Sequence, residues 1–110
     1  MDKIIIKEYI LCAAVWYPEI PLQKIIPHNI LPFNCDKGLV FCGWRHGQCI
    51  YTAVSITGLR QCESGKSIQG FLTNKNNFVT REEAWIIAEG ANQIIKQSGG
   101  FGTLYSEDLY

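Results

Sequence analysis

Residues 68–93 constrain this chain more than the rest of it. Ile68 to Thr73 read as an extended strand, with Asn74, Lys75, Asn76 and Asn77 as a tight turn and Phe78 and Val79 as a short return. Asparagine tolerates the positive φ that hairpin turns require. Thr80 with Glu83 three residues on forms a capping box, so a helix starts there. From that start Ala84, Ile87, Ala88, Ala91, Ile94 and Ile95 share one face, Glu82, Glu83, Glu89, Gln93 and Lys96 share the other, and Gly99 with Gly100 ends the helix. Trp85 and Asn92, seven residues apart, fall together at the border of the apolar stripe, where ligand and interface residues tend to lie.

The first part of the chain completes an α+β pattern. Ile4, Ile6, Ile10, Cys12, Ala14 and Trp16 share one parity of an extended stretch and predict a long first strand with one face buried. Leu11, Ala13 and Val15 make its second half apolar on both faces. All four prolines, Pro18, Pro21, Pro27 and Pro32, fall within residues 18–38, which precludes a regular central element there. The many apolar residues between them predict an ordered covering loop, with room for a short helix or edge strand. Residues 39–43 read as a short buried strand. Arg45 and His46 then open a helix with Cys49, Ile50, Ala53, Val54 and Thr57 at helical spacing, stopped by Gly58. The expected fold is α+β, a single domain over residues 1–110 with a small antiparallel or mixed sheet and two packed helices. Phe101 to Tyr110 reads as a docked tail or a frayed terminus.

Ten basic and ten acidic side chains cancel over 110 residues. No broad positive field is available to hold duplex nucleic acid, although a few placed arginines and amides suffice for a small anionic ligand. Hydrophobic residues make up 47% of the chain, an apolar content that predicts self-association. The N-terminal residues lack a secretory signal pattern and the longest apolar run is far short of a membrane span, so a cytosolic protein with no membrane partner is expected. Its five cysteines are then reduced thiols.

Cys42, His46, Cys49 and Cys62 present soft ligands at short spacing but lack paired knuckles, and the expectation is no metal and no cofactor. A thiol nucleophile from Cys42 or Cys49 with His46 or His28 requires a depressed thiol pKa and an orienting group. Buried inert thiols are the simpler reading, and no phosphate loop, dinucleotide fingerprint or zinc-protease motif occurs. The more suggestive set is aromatic and amide: Trp16 and Phe71 offer flat faces, Gln69 and Asn92 offer paired donors and acceptors, and Arg45 beside His46 at a helix start suits a pyrophosphate.

Residues 43–46 with Cys49 and Ile50, then residues 69–73, 78–84, Ile87 with Ala88, and Gln93 with Ile94, resemble a family of small phage-encoded proteins. Its best understood class is the first type of Thoeris anti-defence protein. The resemblance implies a non-enzymatic sponge in the cytoplasm of the infected bacterial host. It would be a homodimer or a hexamer that sequesters cyclic ADP-ribose isomers, some relatives also holding cyclic oligonucleotides. On matching positions it implies that Trp16 stacks the base and Phe71 packs the ligand. Gln69 and Thr73 would hydrogen-bond it, Arg45 and His46 would lie near phosphates or a second site, and Asn92 would contact a ribose or base. Arg81 also matches the family pattern, there as a fold-supporting partner of an acid. Gly90, Ala91 and Asn92 depart from the usual residues before Gln93. Two other functions stand beside the sponge: a small Cys/His enzyme acting on nucleotides, and an interaction module that blocks a host protein.

Overall fold

A computed structural model describes residues 7–20, 31–60 and 63–110. Four antiparallel strands form one sheet in the order β2-β1-β3-β4: β1 (Ile10–Tyr17), β2 (Leu39–Gly43), β3 (Ile68–Thr73) and β4 (Phe78–Thr80). Two helices follow strands, α1 (His46–Thr57) after β2 and α2 (Arg81–Gly90) after β4. The α+β class and the two helices agree with the sequence pattern, and the sheet is wholly antiparallel.

β1 is central, pairing with β2 from Ala13 opposite Gly43 to Tyr17 opposite Leu39, and with β3 from Ile10 opposite Thr73 to Trp16 opposite Ile68. The pairing slips between Ile10 and Cys12, and Leu11 is left exposed at the slip. This irregularity breaks the single parity expected of the strand. Ile10 joins Ala13, Val15, Tyr17, Phe41, Phe71 and Val79 in the larger core, under Cys49 and Ala53 of α1 and Ala84, Trp85 and Ala88 of α2. The other face of β1 packs Ala14 with Cys35 and Phe78, flanked by Trp16, Leu31 and Leu72. The helix-covered face is thus the Ala13, Val15, Tyr17 side, while Cys12 and Trp16 are only half-buried. Ile4 and Ile6 lie outside the described residues, as does most of the proline-rich loop. Of that loop, Phe33 donates its N–H to Asn76 O at 2.8 Å and Asn34 pairs with both main-chain groups of Phe78, covering the outer edge of β4. β2 is an edge strand with Cys42 exposed, not the buried strand its composition suggests, because no further strand pairs beyond it among the described residues.

α1 forms despite its β-branched residues because Cys49 and Ala53 close onto the sheet and Gly58 caps it. At φ 73° Gly58 donates its N–H to Val54 O at 2.9 Å. The hairpin turn carries Asn76 at φ 58°. The Thr80 box is formed, Glu83 N–H donating to Thr80 Oγ1 at 3.2 Å and Thr80 N–H to Glu83 Oε1 at 2.9 Å.

α2 is shorter than its apolar periodicity suggests. It stops at Gly90, with Asn92 at φ 58°, Asn92 N–H donating to Glu89 O and Gln93 N–H to Ala88 O. Those two bonds are the Schellman arrangement with asparagine in the left-handed position, and glycine at the last helical residue weakens any continuation. The Gln93 side chain then does what another strand would do, accepting from Ile10 N–H at 2.8 Å and donating to Ile10 O at 2.9 Å. The chain beyond is docked: Leu104, Ser106 and Asp108 are buried, and the short 3-10 turn Ser106–Asp108 is tied back by Asp108, whose carboxylate accepts from Ser98 N–H and Tyr105 N–H.

Candidate functional site

The starts of the two helices, the middle of β3 and the docked tail meet on the helix-covered side of the sheet. His46, at the first position of α1, is buried and shares a 2.7 Å hydrogen bond through Nε2 with Gly70 O, its ring edge-on to Phe71 at 5.0 Å. A carbonyl accepts only, so Nε2 carries the proton. Burial lowers the His46 pKa, the Gly70 carbonyl opposing and the Arg81 charge assisting, so the imidazole is neutral at pH 7. Arg45 caps α1 and its Nη2 donates to the main-chain oxygen of Tyr110 at 2.5 Å, its guanidinium 5.1 Å from the centre of the Tyr110 ring. Its Nη1 has no partner and lies beneath the surface.

Arg81 opens α2. Its Nη1 donates to Leu104 O at 2.9 Å and its Nη2 to Gln69 Oε1 at 2.6 Å, with Tyr105 stacked at 4.3 Å. The sequence comparison implied an acid partner, yet both acceptors are neutral. Burial lowers the Arg81 pKa, while Tyr105, Glu107, Glu82 and Asp108 raise it, and a guanidinium remains charged throughout. The one ion pair among the described residues, Arg60 with Glu63, is elsewhere.

Arg81, Trp85 and Glu89 follow at four-residue intervals, so they rise along one side of α2 by about 6 Å per step and about 12 Å in all. The tail runs beside them, placing Tyr105 against Arg81 and Phe101 against Trp85 at 5.4 Å between ring centres. At the far end a cavity of about 190 Å³ is lined by Trp85, Glu89, Asn92, Ile94 and Gln97. A larger hollow of about 440 Å³ lies beside β4, between Asn34, Asn77, Phe78 and Ile86. Glu8 and Glu83 line it too, and two carboxylates oppose any phosphate.

The residues singled out in the sequence therefore separate. Arg45, His46, Gln69 and Phe71 gather where the helices start, although Phe71 is fully buried and offers only its contact with His46. Thr73 is also fully buried, its hydroxyl donating to Glu8 Oε2 at 2.7 Å and receiving the N–H of Lys75 at 3.2 Å. Trp16 stands on the opposite face of the sheet, its indole donating to Lys37 O at 2.9 Å and its ring edge-on to Phe78. Asn92 is not on α2 but in its cap, at the rim of the smaller cavity. Trp85 is buried rather than at a border position. Tyr105, Glu89 and Gln97 were missed. The four-residue spacing of Arg81, Trp85 and Glu89 and the glycines flanking Phe101 were the signals available.

The thiols fall into two groups. Cys49 Sγ donates to the carbonyls of Ala13 and Arg45, and burial pushes its pKa up to about 11. On the sheet, Cys42 lies opposite Ala14, hence diagonal to Cys12, and its hydrogen bond lowers Cys12 to about 7 while Cys42 itself is raised. Cys62 and His28 lie outside the described residues. Among those described, no three His, Cys, Asp or Glu side chains gather as a metal site would need.

A small α+β protein is thus defined, with an arginine at the start of each helix and a small polar hollow at the end of α2, and no described helix long and apolar enough to cross a membrane. It belongs to the phage T4 y16D protein family, whose family model matches residues 9–110. No curated protein and no solved structure matches the chain.

Proposed function

We propose that this phage protein captures a cyclic ADP-ribose-type signal and holds it uncleaved, so that Thoeris or a related bacterial defence is starved of its messenger. The observation that carries this reading is Arg81. It is a half-buried guanidinium whose hydrogen bonds go to the neutral acceptors Leu104 O and Gln69 Oε1, with Glu82, Glu107 and Asp108 in its electrostatic surroundings, and it heads a flank of α2 that leads past Trp85 to the smaller hollow. The membership of a phage family and the resemblance in residues 69–84 support the same reading. The Cys49 thiol, protonated at neutral pH, and the His46 ring, committed to Gly70, are unsuited to act together as a nucleophile and its base. Exposed Phe33, Trp44, Tyr51 and Phe101 support assembly as a homodimer or a larger oligomer such as a hexamer.

Calorimetry with cyclic ADP-ribose isomers and with cyclic oligonucleotides tests the reading directly, followed by heat release and mass spectrometry. Binding with recovery of intact ligand is expected, weakened at least about tenfold in Arg81→Met, since a hydrogen bond to a charged group contributes about 1.5–3 kcal/mol. Absence of binding, or recovery of a cleaved product, overturns it.

A further inference from the structure

We infer that Cys12 and Cys42 form a reversible dithiol site on the face of the sheet away from the helices, where a small-molecule disulfide converts the pair to an internal bridge. This goes beyond the sequestration reading and does not depend on it.

Strand register puts the two thiols together. Cys42 lies opposite Ala14, so Cys12 is its diagonal neighbour on the same face, the one that packs Ala14 and Trp16 rather than the helices. The Cys42 S–H donates to the Cys12 sulfur, and the Gly43 main chain adds a second hydrogen bond to it. Cys42 is exposed and Cys12 half-buried, whereas Cys35 and Cys49 are buried. Diagonal partners stand about 7–8 Å apart at Cα and a disulfide takes about 4.4–6.8 Å, so closure draws the strands together by about 1 Å. β2 is free to make that approach, because no further strand pairs beyond it among the described residues and it ends at Gly43. On β1, the pairing with β3 slips between Ile10 and Cys12, so both thiols sit where the ladder is least constrained.

The pair divides the chemistry. The hydrogen bond from Cys42 holds the Cys12 thiol at about 7 against the opposing effect of burial, so Cys12 is the attacking thiolate. It displaces one thiolate from the small disulfide, which takes a proton from water, and a mixed disulfide forms on Cys12. Cys42 is held protonated chiefly by its hydrogen bond to Cys12, with burial and the Cys12 charge adding. Both Cys12 contributions vanish once that sulfur is covalently occupied, which frees Cys42 to lose its proton and attack. The Cys12–Cys42 bond forms and the second small thiol leaves, so two protein thiols are oxidised and one disulfide is reduced to two thiols. The bridge pins the end of β2 to β1 just ahead of Arg45 and the start of α1.

The test uses the intact chain, exposed to oxidised glutathione at neutral pH, quenched with N-ethylmaleimide and mapped by mass spectrometry of its peptides. Expected is a bridge between Cys12 and Cys42 of one chain, formed at least about tenfold faster than Cys35 or Cys49 is modified. Cys42→Ser should halt at glutathione bound to Cys12, and Cys12→Ser should slow reaction at residue 42 by at least the same factor. A wild-type chain that fails to react at this pair overturns the site. So does one that stops at the mixed disulfide, bridges other cysteines or couples two chains, and this readout needs no variant to fold. A Cys42→Ser chain that gathers no glutathione on Cys12 overturns the order of attack.

Discussion

Gln93→Ala should be among the most costly polar substitutions in the chain, for a reason visible at the slip in β1. Ile10 is 4% exposed, and its N–H and C=O project past the end of β2, whose pairing begins only opposite Ala13. The Gln93 amide is what satisfies both, at 2.8 and 2.9 Å. Losing two hydrogen bonds costs about 1 kcal/mol each, and leaving buried main-chain groups unmet adds to that, so about 2–4 kcal/mol is expected in all. For a domain of this size that corresponds to a drop of about 8–16 °C in Tm. Urea denaturation at pH 7 reads it. A second variant sharpens the argument. Gln93→Glu keeps the shape but at pH 7 sets a carboxylate oxygen against Ile10 O. Protonation restores a donor, so the new carboxyl titrates above its unfolded value of about 4.3 and the deficit shrinks as pH falls through that raised value. A cost under about 0.5 kcal/mol for Gln93→Ala, or a pH-independent deficit for Gln93→Glu, refutes the account.

Because the folded His46 pKa is depressed, the unfolded chain binds its proton first. Stability is therefore complete above about pH 6.5 and declines below it, by at most about 1.4 kcal/mol per pH unit. The difference between wild type and His46→Gln in denaturation from pH 8 to pH 5 isolates this group from His28, and no difference in slope would exclude it. Thr80→Ala should cost about 1 kcal/mol by equilibrium unfolding, through loss of the capping bond to Glu83 N–H. At pH 7.5 a disulfide reagent should modify Cys12, lowered to about 7, well before Cys35 and Cys49, both raised to about 11. Cys42→Ala should slow that fast phase, since Cys42 supplies the hydrogen bond that stabilises the Cys12 thiolate.

Local signals were the legible ones. The Asn76 turn, the Thr80 and Glu83 box and the Gly58 stop each depend on neighbours within a few residues, and each is formed. Contacts at long range were not legible. The end of α2 was obscured because Ile94 and Ile95 continue the helical period, while the real competitor, the bond from Gln93 to Ile10, spans 83 residues. The first strand lost its parity to a slip between Ile10 and Cys12, at the same place where Gln93 pairs with Ile10. Part of the site was hidden in the same way. Gln69 and Arg81 meet because β3 and β4 form a hairpin, but Tyr105 reaches Arg81 only because the tail folds back. Thr73 looked like a ligand contact, but its hydroxyl is taken by Glu8, 65 residues away.

The strand order also sets an itinerary for acquiring the structure. β1 emerges from the ribosome before any other described strand, yet both its sides stay open until residue 43 and then residue 73 have been made. The hairpin of β3 and β4 with α2 needs only residues 68–90 and can assemble by itself on a microsecond scale. This order predicts that the hairpin forms first and presents the edge of β3 to the first strand. Substitutions in the hairpin should therefore slow refolding, whereas those at the β1 and β2 border should chiefly hasten unfolding.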